Sequence, residues 1–103
     1  MEGEHFKNSK LAHFKALQMY LALVQEIPEV VEVRLGEHDE LHTIISAPRD
    51  DDDIYYRVID IELAVMRKVK NQPFLFHLVN SQRLPHEGLG EHIHSFGELV
   101  WKR

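Results

Sequence analysis

The sequence predicts a small α/β (α+β) domain, a two-layer sandwich in which helices pack on a mixed, mainly antiparallel sheet, in the order α-β-β-α-β-(α)-β. Three observations carry this. Two long segments repeat apolar residues every three or four positions, and short runs of strand length separate them. A chain of 103 residues with 44% hydrophobic content is enough for one core and too short for two. Residues 1–103 are therefore expected to form a single domain.

The first helix is expected from about Asn8 to Glu26, where Leu11, Phe14, Leu17, Leu21 and Val24 fall on one face. Asn8 or Ser9 suits its start and Pro28 stops it. Glu29 to Leu35 alternates, with Val31, Val33 and Leu35 on one side and Val30, Glu32 and Arg34 on the other, as in a half-wet strand. Gly36-Glu37-His38-Asp39 reads as a turn, because Gly tolerates positive φ and Asp bonds its own backbone. Glu40-Leu41-His42-Thr43-Ile44-Ile45-Ser46 returns as an inner strand antiparallel to the first.

Past Pro48, the run Asp50–Asp53 precedes Ile54, Val58, Ile61, Val65 and Val69 at helical spacing. Alternation of Ile59, Ile61, Leu63 and Val65 competes as a strand. The acidic start, the basic end at Arg67, Lys68 and Lys70, and the lack of a turn signal favour a helix over about 52–70. Phe74 to Val79 is apolar on both faces apart from His77, which predicts a central, doubly covered strand. Ser81 to Gly90 is a loop by composition. Ile93 and Phe96 mark a helical turn, Gly97 breaks it, and Glu98 to Lys102 forms the last strand.

Charge and composition narrow the function classes. The formal charge is −5, and no basic stripe exists to track phosphates, so nucleic acid is not the expected partner. Without cysteine there is neither a disulfide framework nor thiolate chemistry. The sequence shows no signal-peptide pattern and no apolar run of bilayer length, so a cytoplasmic protein without membrane contact is expected. Eight histidines give the chain a latent sensitivity to acid.

Glu40 and His42 share one face of their strand, and His77 on a neighbouring strand can join them. One carboxylate and two imidazoles suit a single Zn²⁺, Fe²⁺ or Mn²⁺ ion, whereas the structural alternative makes both histidines hydrogen-bonded residues at the core rim. His92 and His94 form an HxH pair, with His86 nearby, that converges only on a strand. The Asp50–Asp53 run lacks the alternation and glycine of a calcium loop and reads as a solvated helix start, with cation binding second. Tyr55, Tyr56, Phe6 and Trp101 read as core or contact aromatics. Ser9, Ser46, Ser81 and Ser95 lack the surroundings of a nucleophile.

Three pieces, Val33-Arg34-Leu35-Gly36, Glu40 to Ile45, and Phe96-Gly97-Glu98-Leu99-Val100-Trp101, together with the order of elements, resemble the minimal nucleotidyltransferase domain. That family uses a Gly-Ser pair, an Asp-x-Asp strand and a third Asp to hold two Mg²⁺ ions and nucleotide phosphates. The resemblance places Gly36 and Glu37 at the Gly-Ser pair, Glu40 and His42 at Asp-x-Asp, and His77 at the third carboxylate. Imidazole serves Mg²⁺ poorly, so the resemblance implies a fold kept and a reaction lost. It also implies a protein partner, a separate helical protein or a second copy. Two rivals stand beside this binding module: the single-metal site, and residual Mg²⁺-dependent nucleotide binding through Asp39, Glu40 and Asp50–Asp53.

Overall fold

The helical spacing of the first segment is realised as α1, Glu2–Val24. The structure is a computed structural model that describes the backbone of residues 2–48 and 52–103 and the side chains of residues 13–48 and 52–103. No proline interrupts the chain before Pro28, so α1 starts ahead of Asn8 and Ser9, which lie inside it instead of capping it. Its buried stripe is also rotated from the expected one. Ala16, Tyr20 and Val24 are fully buried with Leu17 and Leu21 beside them, and Phe14 is exposed. The rotation gives the Tyr20 hydroxyl a buried partner, Thr43 Oγ1 at 2.6 Å. Burial raises the Tyr20 pKa, as does the nearby Glu62, while the Thr43 bond lowers it, and the phenol stays neutral. Leu11 and Phe6 lie outside the described side chains.

Four strands follow: β1 Val30–Leu35, β2 Glu40–Ile45, β3 Leu75–Asn80 and β4 Glu98–Lys102, in the sheet order β3-β2-β1-β4. The pairs β1–β2 and β1–β4 are antiparallel and β2–β3 is parallel, so the sheet is mixed and mainly antiparallel as expected. The inner placement of β2 holds. The central placement of β3 does not, because β4 takes the far side of β1 and leaves β3 at the edge. Phe74 and Phe76 pack towards the helices, whereas Leu75 is 57% exposed.

In β1 the expected alternation slips once. The register shifts between Val30 and Glu32, and a bulge at Val31 brings Val30 and Val33 onto one face, both fully buried, as an inserted residue does. The helix-side face of the inner strands therefore carries Val30, Val33, Leu41, Thr43 and Ile45. The opposite face carries Glu32, Arg34, Glu40, His42 and Ile44.

The contested middle segment is α2, Asp52–Lys68, with Ile54, Val58 and Val65 buried, Ile61 and Val69 packed beside them, and Arg67 and Lys68 in its last turn. Asp52 and Asp53 open it, where carboxylates suit the positive end of the helix dipole. The remainder of that acidic run, Asp50 and Asp51, lies outside the described residues. α2 packs along α1 and connects β2 to its parallel neighbour β3, as a parallel pair requires. The last helical turn is α3, Leu89–His94, which takes in Leu89 and Gly90 from the expected loop, carries Ile93 and stops short of Phe96.

Arg103 closes the sheet. Its guanidinium donates to the carbonyls of Val30, Gln25 and Ile27 at 2.8–2.9 Å, and its cation lies 5.2 Å from the Trp101 ring centre. It thus ties the chain's last residue to the turn between α1 and β1 and to the start of β1. Arg103→Ala is expected to lower stability by about 1–2 kcal/mol, since charge-assisted bonds are strong but these are partly solvated. Urea denaturation measures it, and a midpoint equal to that of the parent would show that the clamp contributes nothing.

Candidate functional site

The turn between β1 and β2 shapes one wall of the site. Gly36 was expected to supply the positive φ, but its backbone is extended, with φ −88°. The left-handed positions are His38 and Asp39, at φ 60° and 61°, and both residue types tolerate that region better than most. Asp39 also lies 3.5 Å from His13 of α1. Gly36 is needed for close approach instead. A Cβ there would come within 2.7 Å of the Phe96 carbonyl oxygen, so a glycine lets the segment between α3 and β4 pass close over the turn.

The register then assembles the side chains. His42 faces Arg34 across β1 and His77 across β3, so all three stand on the sheet face away from α1 and α2. The His42 ring stacks on His77 at 5.0 Å and 17°, and on Phe96 at 4.8 Å and 24°. His92 meets the Phe96 ring edge-on at 5.3 Å. The result is a row of rings across the sheet. Arg34 pins it by donating to Glu32 Oε2 at 2.7 Å and to the Gly97 carbonyl at 2.9 Å.

Beside the row lies an open cleft of about 410 Å³, lined by Gly36, Glu37, His38, Glu40, His42, Ser95, Phe96 and Gly97. Four residues singled out in the sequence, Gly36, Glu37, Glu40 and His42, therefore share one cleft. His77 is not among its lining residues and stacks on His42 instead. His92 and His94 diverge because α3 is a helix. Asp52 and Asp53 stand beyond the finish of β2, a strand length of about 16 Å from Glu40 at its start, so among the described residues these two carboxylates of the nucleotide-binding rival do not join Asp39 and Glu40.

No protein-family model, curated protein or solved structure matches this chain. The site is therefore read from its own chemistry. His42 is nearly enclosed, and burial depresses its pKa below 6.5, with the neighbouring His77 adding to the depression and Glu40 opposing it. Its Nε2 stands 3.5 Å from Glu40 Oε2, and its Nδ1 is buried without a hydrogen-bond partner. The ring is thus neutral at neutral pH.

The ring row bears directly on metal binding. The lone pair of an imidazole lies in the ring plane, and nearly parallel rings 5.0 Å apart direct their lone pairs alongside one another. Two such nitrogens do not meet on an ion that must lie about 2.0–2.1 Å from each. Among the described residues, no three His, Asp or Glu side chains form a group that could hold a metal ion. The Mg²⁺ pair implied by the family resemblance does not fit this donor set either, because its three ligand positions carry one carboxylate, Glu40, and two imidazoles, His42 and His77, where three carboxylates are needed.

Phe96, Gly97 and Arg34 belong to the site and were not among its expected residues. The Phe-Gly step before the last strand was the available signal, but it reads equally as a helix end. Among the described residues, no helix is long and apolar enough to cross a membrane.

A pH dependence follows from His42. The unfolded chain binds its proton at about 6.5 and the folded chain binds it only at lower pH, so the unfolded state holds more protons in between. Stability is expected to fall as the pH drops through 6.5 and towards the lowered value. Glu62, whose pKa burial raises, contributes the opposite slope. Thermal midpoints at neutral and mildly acidic pH test this, with His42→Phe expected to flatten the loss. An unchanged profile in that variant would place the acid sensitivity elsewhere.

Proposed function

We propose that this chain is a nucleotidyltransferase-like domain without nucleotidyl transfer, working in the cytoplasm as a module that binds a protein partner. The observation that carries this reading is the ring row. His42 and His77 stand where the resemblance calls for carboxylates, stacked face to face in a row that Phe96 completes, and stacked rings cannot replace the oxygen cage that Mg²⁺ requires. The observed order of helices and strands supports the architectural half of the reading. The binding half is supported by large apolar side chains left exposed on α2 and at the sheet edges, a feature of surfaces that other proteins cover.

Calorimetric titration with ATP, GTP and CTP in millimolar Mg²⁺ is the test. No binding and no transfer of a nucleotidyl group is expected. Submillimolar binding that needs Glu40 would replace this reading with residual nucleotide binding. Elemental analysis of protein purified without added metal runs alongside. Near-stoichiometric Zn, Fe or Mn, lost in His42→Ala and His77→Ala, would replace it with the single-metal site at Glu40, His42 and His77.

A further inference from the structure

α2 carries two apolar stripes. One faces the sheet through Ile54, Val58 and Val65. The other consists of Tyr56, Ile59, Leu63 and Met66, which are 65%, 43%, 42% and 40% exposed. These four step by three, four and three residues, the spacing of a helix–helix seam. At about 100° per residue they span roughly 80° of the helix surface, on the side opposite the core stripe.

The flanks of this second stripe differ. On one side stands Glu62, which is half-buried and close enough to raise the pKa of Tyr20, so this flank is turned towards α1. On the other side stand Asp60 and Arg67, both exposed. They lie seven positions apart, one on each side of Leu63.

We propose that α2 is the seam of a homodimer in which the α2 helices of two copies pack antiparallel about a twofold axis at Leu63. The proposal deepens the partner-binding reading and rests on it, naming the partner as a second copy of this chain. Charge complementarity selects the arrangement. In an antiparallel pair like flanks face each other, so Asp60 of each copy meets Arg67 of the other, twice by symmetry. In a parallel pair this flank faces Tyr55 and Glu62, and Glu62 is already turned inward towards α1. The apolar four then interleave with their own counterparts, and their exposed area leaves water.

Sedimentation of the full chain at increasing concentration tests this, with a limiting mass twice 12.1 kDa expected. Leu63→Glu is expected to be monomeric with an unchanged far-ultraviolet spectrum, since Leu63 is a surface residue. Asp60→Arg and Arg67→Asp should each weaken the dimer about tenfold or more, and the double variant should regain most of the loss. The chain has no cysteine of its own, so single cysteines report the geometry. Leu63→Cys should form a disulfide-linked dimer. Tyr56→Cys should not, because antiparallel packing separates the two positions by about 21 Å, far beyond disulfide reach.

A monomer at every concentration overturns the proposal, as does a dimer that survives Leu63→Glu, a crosslink through Tyr56→Cys, or a double charge variant as weak as the single ones. The outcomes separate from those of the underlying reading. Nucleotide binding by an intact dimer would remove the non-catalytic reading alone. A monomer that binds no nucleotide would remove the dimer alone.

Discussion

Gly97→Ala is expected to destabilise the domain by about 3–5 kcal/mol, at the top of the range for a single substitution. Gly97 has φ +130°, and an added Cβ would stand 2.5 Å from the Cα of Gly36 and 2.5 Å from the Leu35 carbonyl carbon. Both obstacles are backbone, so no side-chain rotation relieves the overlap. The strand end must move, and with it the Gly97 carbonyl that accepts from Arg34. Strain in φ alone accounts for about 1–3 kcal/mol, and loss of the Arg34 bond and of part of the β1–β4 seam supplies the rest. Urea unfolding measures the effect. A loss under about 1 kcal/mol would mean that the two backbones are not held this close. The same experiment reads the site, because Phe96 is carried on this segment and its stacking on His42 should loosen with it.

Asn80→Leu is expected to lower stability by about 2–4 kcal/mol. The Asn80 side chain closes a two-way pair with Ala47, accepting from its N–H at 3.2 Å and donating to its carbonyl at 3.1 Å. The same oxygen accepts from the Gln82 N–H. Asn80 and Ala47 are both buried, so an isosteric apolar residue leaves the Ala47 donor and acceptor without partners. Each such orphan costs about 1–3 kcal/mol. Asn80→Asp separates the roles, since it keeps the acceptor and loses the donor, and should fall between the parent and Asn80→Leu. Hydrogen exchange at the Ala47 amide gives a local reading, and unchanged protection in Asn80→Leu would refute the pairing.

Much of the fold was legible because the apolar periods were strong and the punctuation clear. The hairpin of β1 and β2, the helical identity of α2 and the short turn before β4 each followed from spacing and from Pro48, Pro73 and Gly97. What failed was placement in space. β3 reads as a central strand because Phe74, Phe76 and Leu78 on one face and Leu75 and Val79 on the other are apolar, yet only the pairing of β4 with β1 decides which strand lies at the edge, and no local pattern records that pairing. The bulge at Val31 is invisible for a related reason, since Val30, Val31 and Val33 are chemically alike and only the register tells them apart.

The site was partly legible. Alternation on β2 put Glu40 and His42 on one face, and the parallel register with β3 brought His77 to His42. Side-chain spacing does not reveal whether two imidazoles will point at a common ion or lie flat on each other. The row is completed by Phe96, which comes from far along the chain and whose contact with His42 depends on Gly36 having no side chain. In the same way, Tyr56, Ile59, Leu63 and Met66 read as part of a generally apolar helix until burial divided the two stripes.

The pairing of β1 with both its neighbours also bears on how the chain reaches its native state. The β1–β2 hairpin closes through a short turn, whereas the bond from Arg103 to Val30 joins residues 73 positions apart. Closing the larger loop carries the greater entropic penalty, so the last strand should add late, after the rate-limiting step. Substitutions along that seam, Gly97→Ala and Arg103→Ala among them, should then leave the refolding limb of a chevron plot nearly unmoved and raise the unfolding limb. The lifetime of the native state would be governed by its final strand, while the speed of reaching it would be governed by the hairpin and the two long helices.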